Sequence, residues 1–217
     1  MKGEIDRKNN LISQLLTTHS NSFNIANTKK IEHIEKFWNS IIQIREINYG
    51  TEFIYSFLLD SEIEKLYTDQ GIGSKNIREQ YLTKISANYS DTSDKASKIK
   101  SEIDKQRPFI GEKLFSLFYV YFTFSMRSTY LLIKDSSQGK CNIWKSDSAL
   151  IKNLQDNLNE AELEYLKSKD FGSYQTAIAL LEAKMTNEIH YSLTGEEAVD
   201  NSIKQVEKLE SLLKLTK

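Results

Sequence analysis

Residues 114–133 read LFSLFYVYFTFSMRSTYLLI, and the reading of this stretch decides the fold. Taken as a helix, it is apolar or aromatic on nearly every face and carries a single charge, Arg127. Such a helix lies either in the middle of a helical bundle or across a bilayer. Two observations disfavour the bilayer. Ser116, Thr123, Ser125, Ser128 and Thr129 accompany the arginine, whose placement at mid-membrane costs at least ~2.5 kcal/mol. The tyrosines run through the middle of the stretch instead of gathering at its two ends as an aromatic belt. The sequence therefore predicts a central helix over 109–133, opened by Pro108 in its first turn and surrounded by other helices. A helix half buried and half presented to a partner, through Phe118, Tyr121 and Phe122, ranks second. Membrane association through 109–133 ranks third.

Helical periodicity continues outward on both sides, with no sustained period-two alternation. Toward the N-terminus, the lysine-rich run Ser93–Gln106 has Ile99 and Ile103 as apolar anchors and reads as a solvent-exposed arm. A separate helix over Lys75–Tyr89 precedes it, and Gly71-Ile72-Gly73-Ser74 breaks the chain before that. Thr51–Leu59 begins another helix, and Ser61 with Glu64 forms a capping-box pattern. A helix starting at Asn27 or Thr28 carries Ile31, Ile34, Trp38, Ile41 and Ile42 at spacings of three and four and ends at Gly50. A first helix covers 4–18, with Ile12, Leu15 and Leu16 on one side, and the polar stretch Thr17–Asn27 follows it.

Toward the C-terminus, Lys134–Asn142 reads as a polar loop. Ser146 or Asp147 caps a helix carrying Leu150, Leu154 and Leu158, and Asn159 with Glu162 caps a second. Asp170–Gly172 precedes a long amphipathic helix with Tyr174, Ile178, Leu181, Met185 and Ile189. Thr194 and Glu197 cap a final helix whose stripe is Val199, Ile203, Val206, Leu209 and Leu213, and the last two helices pair as an antiparallel hairpin. The fold class is all-α: an irregular bundle of roughly seven to nine helices with a central aromatic helix. It reads as one domain over 1–217, with 107/108 as the place where it would subdivide.

Composition narrows the function classes. With 29 basic and 30 acidic residues the formal net charge is -1, so the chain lacks the basic excess that supplies most of the energy of nucleic-acid binding. Cys141 is the single cysteine and excludes an intramolecular disulfide; His19, His33 and His190 are far apart, which argues against a zinc site. The polar opening residues carry no secretory signal, and the cytoplasm is the expected location.

The chemistry-bearing candidates are few. Helical HEPN-type ribonucleases carry an Arg-x4–6-His motif in which a cation and an imidazole act on the scissile phosphate. Here His190 has Lys184 upstream where that motif has arginine, and lysine lacks the bidentate fork. A nuclease using His190 and Lys184 is the leading enzyme alternative. Gly71-Ile72-Gly73-Ser74-Lys75 has the flexible backbone and cation of an anion-binding turn, but it lacks the Walker spacing and follows a helix, so a helix–helix connection with Ser74 as N-cap is the simpler reading. Glu32, His33 and Glu35 read as a solvent face, because no Glu-x-x-His occurs for a di-metal centre. Cys141 lies beside Lys140 and Lys145, cations that would lower its pKa.

No cofactor or metal is predicted. The expected function is a non-catalytic protein-binding or accessory subunit of a larger intracellular complex, such as a toxin–antitoxin or anti-phage defence system, with a protein partner or a second copy as its ligand. Its affinity would come from apolar helix faces with aromatic anchors. The candidate contacts are Phe118, Tyr121 and Phe122 on the aromatic helix and Val206, Leu209 and Leu213 on the C-terminal stripe.

Overall fold

Gly111 sets the geometry at the centre of the molecule. Its backbone, at φ +84° and ψ 160°, occupies a region open essentially to glycine, and it joins two long helices with no other residue between them. Helix α5 (Thr83–Ile110) ends there and helix α6 (Glu112–Lys134) begins. Along the pair, Tyr89 meets Tyr130, Lys100 lies over the Tyr119 ring, and Arg107 lies over Phe115. That shrinking separation in sequence marks an antiparallel hairpin. Pro108 stands in the last turn of α5, a correction to its expected place at the start of the next helix. The φ that Gly111 supplies makes the break, while Pro108 withholds one bond, to the Asp104 carbonyl, without ending the helix.

The computed structural model describes residues 28–69 and 71–194, with the side chains of Ile72 and Thr194 excepted. Among these residues 85% are helical and none lies in a strand, as the all-α reading requires. Helix α1 covers 28–47, followed by α2 (Tyr49–Phe57), α3 (Asp60–Lys65) and α4 (Ile72–Ile77). A π-helical turn, Arg78–Leu82, carries α4 into α5. Short 3-10 turns at Ser136–Gln138 and Trp144–Ser146 then lead to α7 (Ser148–Gln155), α8 (Glu160–Ser168) and α9 (Ser173–Thr194). The readings placed on 4–27, and those on Glu197 and the stripe from Val199 to Leu213, lie outside the described residues.

Internal contacts divide the chain into two units: Phe37–His190, and Met1–Lys36 together with Tyr191–Lys217. In the second, Lys30 Nζ donates to the Ser192 carbonyl at 3.0 Å. The expected subdivision at 107/108 falls inside α5, which passes through that point unbroken. The larger unit holds one apolar core, and α6 runs through it. Leu114, Leu117, Phe118, Tyr121, Phe124, Leu131 and Leu132 are buried, each aromatic or aliphatic side chain contributing about 1.5–3 kcal/mol on leaving water. Phe37 of α1 meets Phe118 edge-on at 6.0 Å. Phe124 is stacked on Tyr174 of α9 and edge-on to Trp144, and Tyr174 stacks in turn on Tyr55 of α2 at 4.7 Å.

Several local expectations change. α5 buries Ala96, Ile99, Ile103 and Ile110 against α6 and is not a free arm. No break separates Tyr89 from Ser93, where Asp91 pairs with Lys95 one turn on; polar residues do not end a helix that lacks glycine or proline there. In α1 the buried positions are Ile34, Phe37, Ile41 and Ile44, while Ile31 and Ile42 are exposed. The helix ends at Asn48, not Gly50, because the Asn48 side chain turns back onto the Ile44 carbonyl at 2.8 Å. Gly50 belongs to α2, where an added Cβ would stand 3.0 Å from Ile85. The N-terminus of α3 is covered by Asp170, which accepts from the Ser61 N–H and hydroxyl, and by Glu62, which accepts from the Leu59 N–H. Two caps stand as read from sequence: Asp147 accepts from Leu150 N, and Asn159 and Glu162 cap each other's backbone.

Candidate functional site

The least ordinary surface of the larger unit lies where α1 gives way to α2 and the π turn passes beside it. Tyr49, Phe53 and Phe57 recur every four residues and so share one face of α2. Phe53 meets Tyr49 at 6.4 Å and Phe57 at 4.4 Å, and the Tyr81 ring stacks on Phe53 at 4.3 Å and 14°. These rings form a ladder on the outside of the fold. Tyr49 and Phe57 remain 65% and 67% exposed.

The π turn positions Tyr81. Thr83 donates to the Arg78 carbonyl five residues back through both its N–H and its hydroxyl, which widens the helix by a residue. Arg78 reaches back from the turn to the carbonyls of Leu66 and Asp69, tying it to the end of α3.

Beside the ladder opens a cleft of about 280 Å³. Its floor is polar and buried: the Thr129 hydroxyl donates to Asn48 Oδ1 at 2.7 Å and lies 2.8 Å from the Thr51 hydroxyl. Ile47, Ile85, Tyr49 and Tyr81 supply the walls. Along the rim, Gln80, Lys84, Asn88 and Thr92 follow one another at four-residue spacing.

The residues singled out from sequence fall elsewhere. Phe118 and Tyr121 are buried in the core, which removes them from any partner's reach, and Phe122 is half-buried against the same core. They are buried because the faces of α6 that carry them meet α1, Trp144 and α9, whereas Tyr119 and Tyr130 on the same helix stay 48% and 42% exposed. Tyr121 donates to Glu182 at 3.2 Å, and Glu182 also binds Arg45; burial, with the Glu182 charge adding to it, pushes the phenol well above its ordinary range. Val206, Leu209 and Leu213 lie outside the described residues.

His190 is exposed on α9, and Lys184 is engaged by Glu162 at 3.1 Å. The Cys141 thiol is buried and donates to the Leu132 carbonyl at 3.4 Å. Burial pushes it up to about 12, the opposite of the lowering that Lys140 and Lys145 suggested: desolvation is the leading cause, Lys140 stands in solvent, and Lys145 is paired with Asp60. At Gly71–Lys75 the Asp69 carboxylate takes the Gly71 N–H at 2.9 Å and the Ser74 hydroxyl, so the turn is already occupied by an anion of its own chain. Gly71, not Ser74, is the N-cap. Glu32 and Glu35 are exposed, and no group of three or more His, Cys, Asp and Glu side chains among the described residues could hold a metal ion. No helix among them is long and apolar enough to cross a membrane; Arg127, the one charge of the aromatic stretch, binds Asp147 at 2.6 Å.

No family model, curated protein or solved structure matches this chain. The four-residue spacing of Tyr49, Phe53 and Phe57 was visible in the sequence, but periodicity alone does not separate an aromatic face that is buried from one that is left in water.

Proposed function

We propose that the protein is a non-catalytic binding subunit that docks a protein partner on the α2 aromatic face. One observation carries this reading: the continuous ring ladder Tyr49–Phe53–Phe57 with Tyr81, whose ends stand two-thirds in solvent. Aromatic side chains left in water forgo burial energy unless another surface covers them, and rigid aromatic anchors dominate the energetics of protein interfaces. The complementary partner is an apolar helix face of a second protein. His190 and Lys184 gain no support as a catalytic pair, since Lys184 is held by Glu162.

The test is co-purification of the tagged chain from its native host, wild type beside Phe57→Glu and Leu209→Glu. The wild type should carry a protein at fixed stoichiometry. Phe57→Glu should release it, weakening binding by about thirtyfold or more, the scale of a lost ~2 kcal/mol anchor, with an unchanged far-UV circular dichroism spectrum. A complex that survives Phe57→Glu but not Leu209→Glu would move the interface to the C-terminal stripe. A wild-type monomer with nothing attached would end the proposal.

A further inference from the structure

The geometry points to a small-molecule site in the cleft beside the ladder, taking a compact planar ring that bears an anionic group. Its charge is one-sided: among the described residues Lys84 is the single charged residue lining it, and no carboxylate does. Among the described residues Gln80, Lys84, Asn88 and Thr92 share no hydrogen bond or ion pair with another residue, so four polar side chains lining the cleft, one from the π turn and three from α5, have their capacity unused. Further along α5 itself the polar side chains are paired, as where Asp91 binds Lys95 and Lys100 binds Asp104.

The walls specify the rest of the ligand. Tyr49 and Tyr81 offer ring faces for stacking, while the Gln80 and Asn88 amides can both donate to and accept from a ring edge. The buried hydroxyls of Thr51 and Thr129 close the bottom of the cleft, 1% and 2% exposed. A volume of about 280 Å³ sits near the lower limit of ligand pockets, enough for one ring system and a substituent. The π turn, which delivers both Gln80 and Tyr81 to this cleft, is a distortion frequent at binding sites.

Two sources share this chemistry, a nucleoside monophosphate and an aromatic carboxylate, and the assay separates them. The full chain is titrated with adenosine 5′-monophosphate, uridine 5′-monophosphate and indole-3-acetate, followed by amide chemical-shift changes and by calorimetry. Saturable binding of one class, with shifts at Gly50, Lys84 and Asn88, is the expected result. Lys84→Glu should abolish it and Lys84→Met should weaken it about tenfold, the scale of one charge-assisted hydrogen bond. Both variants should keep the wild-type melting temperature, since Lys84 is exposed and has no partner among the described residues. Absence of saturable binding for all three probes, or binding indifferent to Lys84→Glu, would overturn the inference. Neither outcome bears on the docking proposal, which is read from Phe57 and from a co-purifying protein.

Discussion

Asp147 and Arg127 show how one residue pair does two jobs. Asp147 ends the 3-10 turn after Trp144, accepts the Leu150 N–H at 2.9 Å as the N-cap of α7, and holds Arg127 of α6 through Oδ2. Burial alone would raise its carboxyl, but the Arg127 guanidinium and the Leu150 N–H outweigh that and hold it below the usual carboxylate range. A pKa lowered by folding contributes stability above the unfolded value of about 3.9, and that stability is lost as pH falls through the folded value. Asp147→Ala should therefore cost about 1–2 kcal/mol at pH 7 through the lost cap, and the gap from wild type should narrow below about pH 4. Asp147→Asn keeps the cap and gives up an ion pair whose arginine is largely in solvent, so its loss should stay under about 1 kcal/mol. Urea denaturation at pH 7 and pH 3.5 measures both. An Ala variant as stable as wild type at neutral pH would refute the capping role.

At the scale of elements, the helices are positioned by backbone constraints as much as by apolar faces, and three glycines separate the contributions. Gly111 has nothing within 4 Å of where a Cβ would stand, so Gly111→Ala tests backbone strain alone; it should destabilise by about 1–3 kcal/mol. Gly50→Ala sets close approach, a Cβ pressed on Ile85 at 3.0 Å, against the gain of about 0.4–1 kcal/mol that alanine brings at a helical glycine of ordinary φ. It should cost less than Gly111→Ala, because the Ile85 side chain can yield. Gly73 lies in α4 in open space, and Gly73→Ala should stabilise by about 0.4–1 kcal/mol. Melting temperatures of the three variants would rank these effects. A Gly111→Ala protein as stable as wild type would mean that the α5–α6 turn has other conformations available.

For the whole molecule, the core buries groups that ionise only at alkaline pH. The Tyr55, Tyr121 and Tyr174 phenols and the Cys141 thiol are all raised, chiefly by burial. A pKa raised by folding contributes stability that is intact below the unfolded value and lost as pH rises through the folded one. Stability should therefore hold to about pH 9, where the unfolded thiol and then the phenols begin to titrate, and fall at higher pH in a cooperative unfolding step during which the buried phenols ionise together. Phenolate absorbance followed alongside circular dichroism checks this; buried phenols that titrate near pH 10 with the fold intact would contradict it. Cys141 should also react with a thiol reagent at pH 8 at least about a hundredfold more slowly than in guanidinium, because its thiolate fraction falls with each unit of raised pKa.

The sequence by itself determined the helical class, the central place of 114–133, the caps at Asp147 and Asn159 and the buried stripe from Tyr174 to Met185. These follow from periodicity and from side chains that bond their own nearby backbone, which are local properties. Tertiary structure decided the rest. Trp144, in a short connector, became the largest fully buried side chain because Phe124 and Ser173 close around it from distant parts of the chain. Arg127 found Asp147 and Lys145 found Asp60, pairs too distant along the chain for helical periodicity to describe. The candidate site belongs to this second class. Phe118 and Phe57 look alike in sequence, and which of them is buried depends on what each helix face meets: the Phe118 face of α6 packs on Phe37, while the face of α2 with Tyr49 and Phe57 stays largely in solvent beside Tyr81. Burial is a property of neighbours brought together by folding, so it could not be read from the spacing of aromatic residues along one helix.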